Sequence, residues 1–152
     1  MQLSAAGLDL LKQSEGFRGQ TYLDVAGIPT IGYGHRLVHP ECYPNGITEA
    51  QAEVILQWDL RDAEQSVASL VKVALTQGQY DALVDFTFNL GSGRLAASSL
   101  LQLLNAGKSD AAANELLRWD HSGSQEIPAL KARREAEFQL WTGAAVSQKQ
   151  AA

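Results

Sequence analysis

The sequence predicts a predominantly helical α+β fold, and three observations predict it. Between Gly46 and Gly78 there is no glycine or proline, and Ile55, Trp58, Val67, Leu70 and Val71 recur at helical spacing. By contrast, Phe17 to His35 carries Gly19, Gly27, Gly32 and Gly34, with the β-formers Thr21-Tyr22-Leu23 and Thr30-Ile31 between them. The whole chain of 152 residues is 45% hydrophobic and 19% charged, the balance of one globular domain with its own core.

The elements follow in chain order. Ser4 is placed to cap a helix running to about Glu15, with Ala5, Leu8 and Leu11 on its inner face. Gly16 stands where a left-handed residue would end that helix. Val25-Ala26-Gly27 suits a three-residue hairpin loop with Gly27 in the left-handed position. Residues 36–47 read as turns. Thr48 opens a capping box with Gln51, and a long helix follows, with a break expected near Thr76. Further helices are expected over about 77–90, 98–105, 109–119 and 126–141. The hairpin is the one sheet expected, and a loose tail is expected over 144–152.

Composition excludes several functions. Lys and Arg number 12 against 17 Asp and Glu, a net charge of −5, which argues against a nucleic-acid binder held by phosphate contacts. The imbalance is concentrated in residues 42–90, where seven acids face two bases (Arg61 and Lys72). No segment approaches 18 apolar residues, and Asp9 and Lys12 interrupt the start, so neither a membrane anchor nor a signal peptide is expected. A single cysteine, Cys42, cannot form an internal disulfide. A monomer is expected.

The chemistry is expected around the hairpin. Glu15 falls in the last turn of its helix. A carboxylate there faces the negative end of the helix dipole, which favours the protonated form that a general acid needs. With a loop of residues 25–27, Asp24 opposes Ile28 and Tyr22 opposes Thr30. Thr30 then lies on the same sheet face as Asp24, diagonal to it at roughly 7–8 Å between backbones. A water could sit between them. Two carboxyls and a hydroxyl suit glycoside hydrolysis, one acid protonating the leaving oxygen while the other stabilises the cationic sugar or activates water. Each residue also has an ordinary structural use: a solvated helix end, a turn cap and a β-former.

The string Glu15-Gly16-Phe17, Tyr22-Leu23-Asp24, Gly27 and Thr30-Ile31-Gly32-Tyr33-Gly34-His35 closely resembles the signature of phage-type, T4-lysozyme-like muramidases (glycoside hydrolase family 24). The likeness continues through Phe88-Asn89-Leu90-Gly91, Ser98-Ser99-Leu100-Leu101, Leu104-Asn105-Ala106-Gly107, Trp119 and the segment from Ser122 to Trp141, covering residues 4–142. Ser124 and Ala129 stand where the family commonly has glycines. The resemblance implies a lysozyme-like two-lobed fold within a single catalytic domain, 1–143. Its small hairpin lobe would span about 13–60 and its helical lobe 1–12 and about 61–143, joined by the long helix, with the cleft between them. It implies bacterial peptidoglycan as substrate, cleaved between N-acetylmuramic acid and N-acetylglucosamine. Glu15 would be the general acid, Asp24 the second carboxylate and Thr30 the residue that helps place water. Phe88, Ser99 and Asn114 would line the substrate, with core packing the alternative for Phe88. His35 and Arg133 would play supporting roles. No metal or organic cofactor is implied.

His35, His39 and Cys42 form an H-x₃-H-x₂-C run that could suggest zinc or a cysteine nucleophile, but no fourth ligand is evident. Arg133 and Arg134 would either reach Glu15 or substrate carboxylates, or stand as exposed helical arginines. The leading reading is an endolysin held in the bacterial cytoplasm until a holin releases it to the wall. Control through a tethered N-terminus and cysteine exchange, used by some relatives, is not expected. A host-encoded autolysin, a lytic transglycosylase and a peptidoglycan-binding module without catalysis are the alternatives, and the intact Glu15, Asp24 and Thr30 speak against the last.

Overall fold

A computed structural model describes residues 1–144; residues from 145 on, which include nearly all of the expected tail, lie outside the described part. The chain divides into two compact units. One is Lys12–Arg61, and the other joins Met1–Leu11 to Asp62–Ala152. The chain passes between them within helix α1 (Ala5–Glu15) and within helix α2 (Glu49–Leu70).

The smaller unit holds a three-stranded antiparallel sheet in the order β1 (Arg18–Leu23), β2 (Pro29–Gly32), β3 (His35–Arg36). The first hairpin has the expected register: Tyr22 pairs with Thr30 and the Asp24 N–H bonds the Ile28 carbonyl at 3.0 Å. Gly27 closes the loop at φ 76°. The third strand corrects the sequence reading, which left Arg36 among turns; Arg36 pairs with Thr30 and makes β2 the central strand. Ile31, Tyr33, Ala52 and Leu56 are buried. Gly32 lies so near α2 that an added Cβ would stand 3.2 Å from that of Ala52. Tyr33 bonds Glu49 at 2.6 Å, while Lys12 pairs with Glu53 and lies 3.7 Å from Glu49. The Thr48–Gln51 capping box forms as expected.

The larger unit is built on α3 (Gln77–Leu90), α4 (Ser92–Ala97), α5 (Ser99–Asn105), α6 (Ser109–Leu116) and α7 (Pro128–Thr142). Helix α3 is buried on every face from Tyr80 to Thr87, with Ala82, Leu83, Val84 and Phe86 fully buried, as befits a central helix. Its two buried acids are both partnered. Asp81 accepts from the Ser4 N–H, the Ser4 hydroxyl and Gln77; Asp85 takes both Nε and Nη2 of Arg133, at 2.8 and 2.9 Å.

Ser4 caps α1 by accepting from the Gly7 N–H, and Gly16 follows at φ 72°, as expected. Leu11 is fully buried but Ala5 is exposed; Gly7 takes the inward place next to Asp81. Helix α2 stops at Leu70, before Val71, because Asn105 from α5 bonds the Leu70 carbonyl and the Lys72 N–H. Thr76 then caps α3 through a capping box with Gln79. Two elements go beyond the sequence reading: α4, and a second hairpin, β4 (His121–Ser122) with β5 (Gln125–Glu126). That hairpin delays α7 to Pro128. Among the described residues, no helix is long and apolar enough to cross a membrane.

Candidate active site

Glu15 is the last residue of α1 and is half-buried. Its Oε2 rests against Gly34, where an added Cβ would lie 3.3 Å away; Gly34 also holds φ 81°, a left-handed conformation that favours glycine. The turn after Tyr33 thus leaves space beside the carboxyl.

Asp24 is held more tightly. Its Oδ1 accepts from the N–H groups of Ala26 at 2.8 Å and Ile28 at 2.9 Å, and its Oδ2 lies 3.1 Å from Arg36 Nε. Asp24 therefore caps its own turn, the ordinary structural use expected of it. The Ile28 N–H, with help from Ala26 and Arg36, holds this carboxyl below the ordinary aspartate range, against a smaller opposing effect of desolvation. Such a carboxylate is a weak base and a good fixed negative charge. Because its pKa is depressed in the fold, its contribution to stability is present above about pH 4 and lost as pH falls through the folded value. Arg36→Gln should shift its protonation to higher pH. A carbon-13 titration of the Asp24 carboxyl should find the wild-type midpoint below about 3.9, the unperturbed value. A midpoint at or above it, or no change in the variant, would contradict this account of the loop.

Thr30 is buried, with 2% exposure, on the central strand. Its hydroxyl donates to the Ile28 carbonyl at 2.9 Å. Toward a water, that oxygen can therefore act only as an acceptor. The register leaves Thr30 diagonal to Asp24, so two acceptors share one sheet face.

His35 opens β3. Its Nδ1 lies 2.9 Å from Asp59 on α2 and its Nε2 3.3 Å from Glu41, whose Oε2 also accepts from the Val38 N–H. Both ring nitrogens can donate only when the ring is protonated. His35 thus ties the sheet to α2 and to the following turn. Cys42 is exposed and free, and among the described residues no group of three or more His, Cys, Asp and Glu side chains could hold a metal ion.

The other expected residues lie in the larger unit. Phe88 is half-buried near the end of α3, Ser99 is exposed at the start of α5 beside its cap Ser98, and Asn114 is exposed on α6. Arg133 and Arg134 are not exposed helical arginines: both are buried, Arg134 completely. Sequence reasoning missed Arg36, Glu41 and Asp59. Recognition of β3 would have found Arg36, which follows directly from pairing past the Tyr33-Gly34 turn.

Residues 12–137 match the family model for phage lysozyme. The chain belongs to the phage lysozyme family. It is 45% identical over 145 residues to an endolysin of Bacillus phage B103, covering 93% of this chain and 54% of that protein. It is 40% identical over 137 residues to the endolysin of Salmonella phage P22, covering 88% of this chain and 94% of that one. The chain thus spans about half of the first relative and nearly all of the second. A crystal structure of a P22 lysozyme mutant superposes with a TM-score of 0.85 at 38% identity, covering 93% of this chain and 99% of that one. The chain is therefore a predominantly helical α+β member of the phage lysozyme family, a family of glycosidase-type enzymes.

Proposed function

We propose that the protein is a muramidase that hydrolyses the β-1,4 bond between N-acetylmuramic acid and N-acetylglucosamine in peptidoglycan. In this reading Glu15 is the general acid that protonates the leaving oxygen. Asp24 is the fixed negative charge that stabilises the developing oxocarbenium ion and orients water, and Thr30 accepts a hydrogen bond from that water. The observation that carries the reading is the register of the first hairpin, which puts Thr30 diagonal to a carboxylate that the Ile28 and Ala26 N–H groups hold in place. His35 keeps the sheet in place, Arg133 supports through its hold on Asp85, and Phe88, Ser99 and Asn114 contact the glycan. An endolysin of this kind would stay in the bacterial cytoplasm until a holin gives it access to the wall.

The same arrangement bears on stereochemistry. Asp24 Oδ1 accepts from two loop N–H groups and Oδ2 faces Arg36, an arrangement that suits this carboxylate to a fixed charge beside Thr30. Water should therefore attack directly, and the anomeric centre should invert. Proton NMR of the first-formed product should show the α-anomer. A β-anomer appearing first would mean retention, and would make Asp24 a nucleophile.

A further inference from the structure

Arg134 is the largest fully buried side chain of the described residues. Its Nη2 donates to Asn89 Oδ1 at 2.8 Å and lies 2.9 Å from Glu137 Oε1, and its guanidinium stands 5.2 Å from the Phe86 ring centroid. Nε and Nη1 find no hydrogen-bond acceptor among the described residues. A buried cation with idle donors is a poor arrangement for stability, since a well-packed apolar side chain could fill the same space.

It is a good arrangement for fixing an amide. The two ends of an asparagine amide have nearly the same shape, and their partners decide which faces where. Arginine has donors only, so Asn89 must turn Oδ1 toward Arg134. Its Nδ2, with two N–H donors, is then the other end. Asn89 is half-buried in the last turn of α3, next to Phe88, and Nδ2 has no acceptor among the described residues. An N–H pair left free in that setting is suited to an acceptor, of which a carbonyl oxygen is one.

We propose that Asn89 is a specificity-determining residue that donates from Nδ2 to an amide carbonyl of peptidoglycan, and that Arg134 is the positioning residue that sets its orientation. The proposal rests on the peptidoglycan reading above. The carbonyl belongs either to a sugar acetamido group or to a peptide stem, and the two are separable by experiment.

Asn89→Asp keeps the acceptor for Arg134 and replaces the donors by an oxygen. It should raise KM for wall fragments about tenfold, the equivalent of about 1.4 kcal/mol, with kcat changed less than twofold. Arg134→Met should raise KM about threefold and, because it leaves Glu137 buried without its partner, lower the Tm as well; Arg134→Lys, which keeps a donor and the charge, should recover part of both losses. Binding is read separately in the Glu15→Gln background, with N-acetylglucosamine oligomers and with stem-bearing muropeptides. Weakening of both by Asn89→Asp assigns the carbonyl to the sugar; weakening of muropeptides alone assigns it to the stem. Unchanged KM and unchanged binding of both probes in folded Asn89→Asp would overturn the proposal. A fall in kcat at constant KM would overturn it as well. Full activity of Glu15→Gln would instead overturn the catalytic assignment, while leaving the binding comparison to stand on its own.

Discussion

Glu15→Gln is expected to lose nearly all wall-lytic activity while keeping the fold. The substitution deletes the transferable proton and preserves the shape of a side chain that rests against Gly34. A positioned general acid contributes about 10²–10⁴-fold, so a loss of at least 100-fold is expected. Stability should not suffer, because the change removes a negative charge from the C-terminal end of α1, where the helix dipole disfavours one by a few tenths of a kcal/mol. The check is a turnover assay on purified walls beside a thermal melt. More than about a tenth of wild-type turnover in a folded variant would end the assignment of Glu15 as the acid.

The largest stability effect is expected away from the site, at Gly78→Ala. In an exposed helix that change would stabilise by up to about 1 kcal/mol. Here a Cβ on Gly78 would stand 2.0 Å from the Leu140 carbonyl oxygen and 2.9 Å from its carbon. The obstacle is backbone of α7, so no side-chain rotation relieves it, and α3 and α7 would have to move apart. Because Tyr80, Ala82, Leu83, Val84 and Phe86 of α3 are buried in that core, separation loosens it. Overpacking of this kind costs about 3 kcal/mol, equivalent to a Tm lower by about 10 °C for a chain of this size. Calorimetry provides the measurement, and an unchanged Tm would mean that the two helices are not in such close contact.

What could be read from the sequence was what local chemistry determines. The 25–27 loop, the left-handed Gly27, the Ser4 cap and the Thr48–Gln51 box each depend on residues within a few positions of one another, and all form as expected. What could not be read was set by residues far away in the chain. Helix α2 ends where Asn105 supplies a cap from 35 residues on. His35 meets Asp59 across 24 positions. Strands β4 and β5, of two residues each, are too short to show an alternating pattern. Charged residues on a helix ordinarily mark its wet face, so nothing in the string Arg133-Arg134-Glu135 announces that its two arginines lie inside, meeting Asp85 and Asn89 from α3. Within the candidate site, Asp24 and Thr30 were legible together because a hairpin register is a short-range property. Arg36 was not, because it needed a third strand that the turn-rich composition of residues 36–47 concealed.

Digestion of purified peptidoglycan followed by mass spectrometry of the released fragments tests the central claim most directly. Hydrolysis by water oriented between Asp24 and Thr30 leaves muramic acid with a free reducing end. Closure of the sugar on its own 6-hydroxyl would need only one catalytic acid and would leave 1,6-anhydro ends. The account predicts reducing muramic ends, absent from the Glu15→Gln digest. Anhydro-muramic ends, or reducing ends on N-acetylglucosamine, would contradict it.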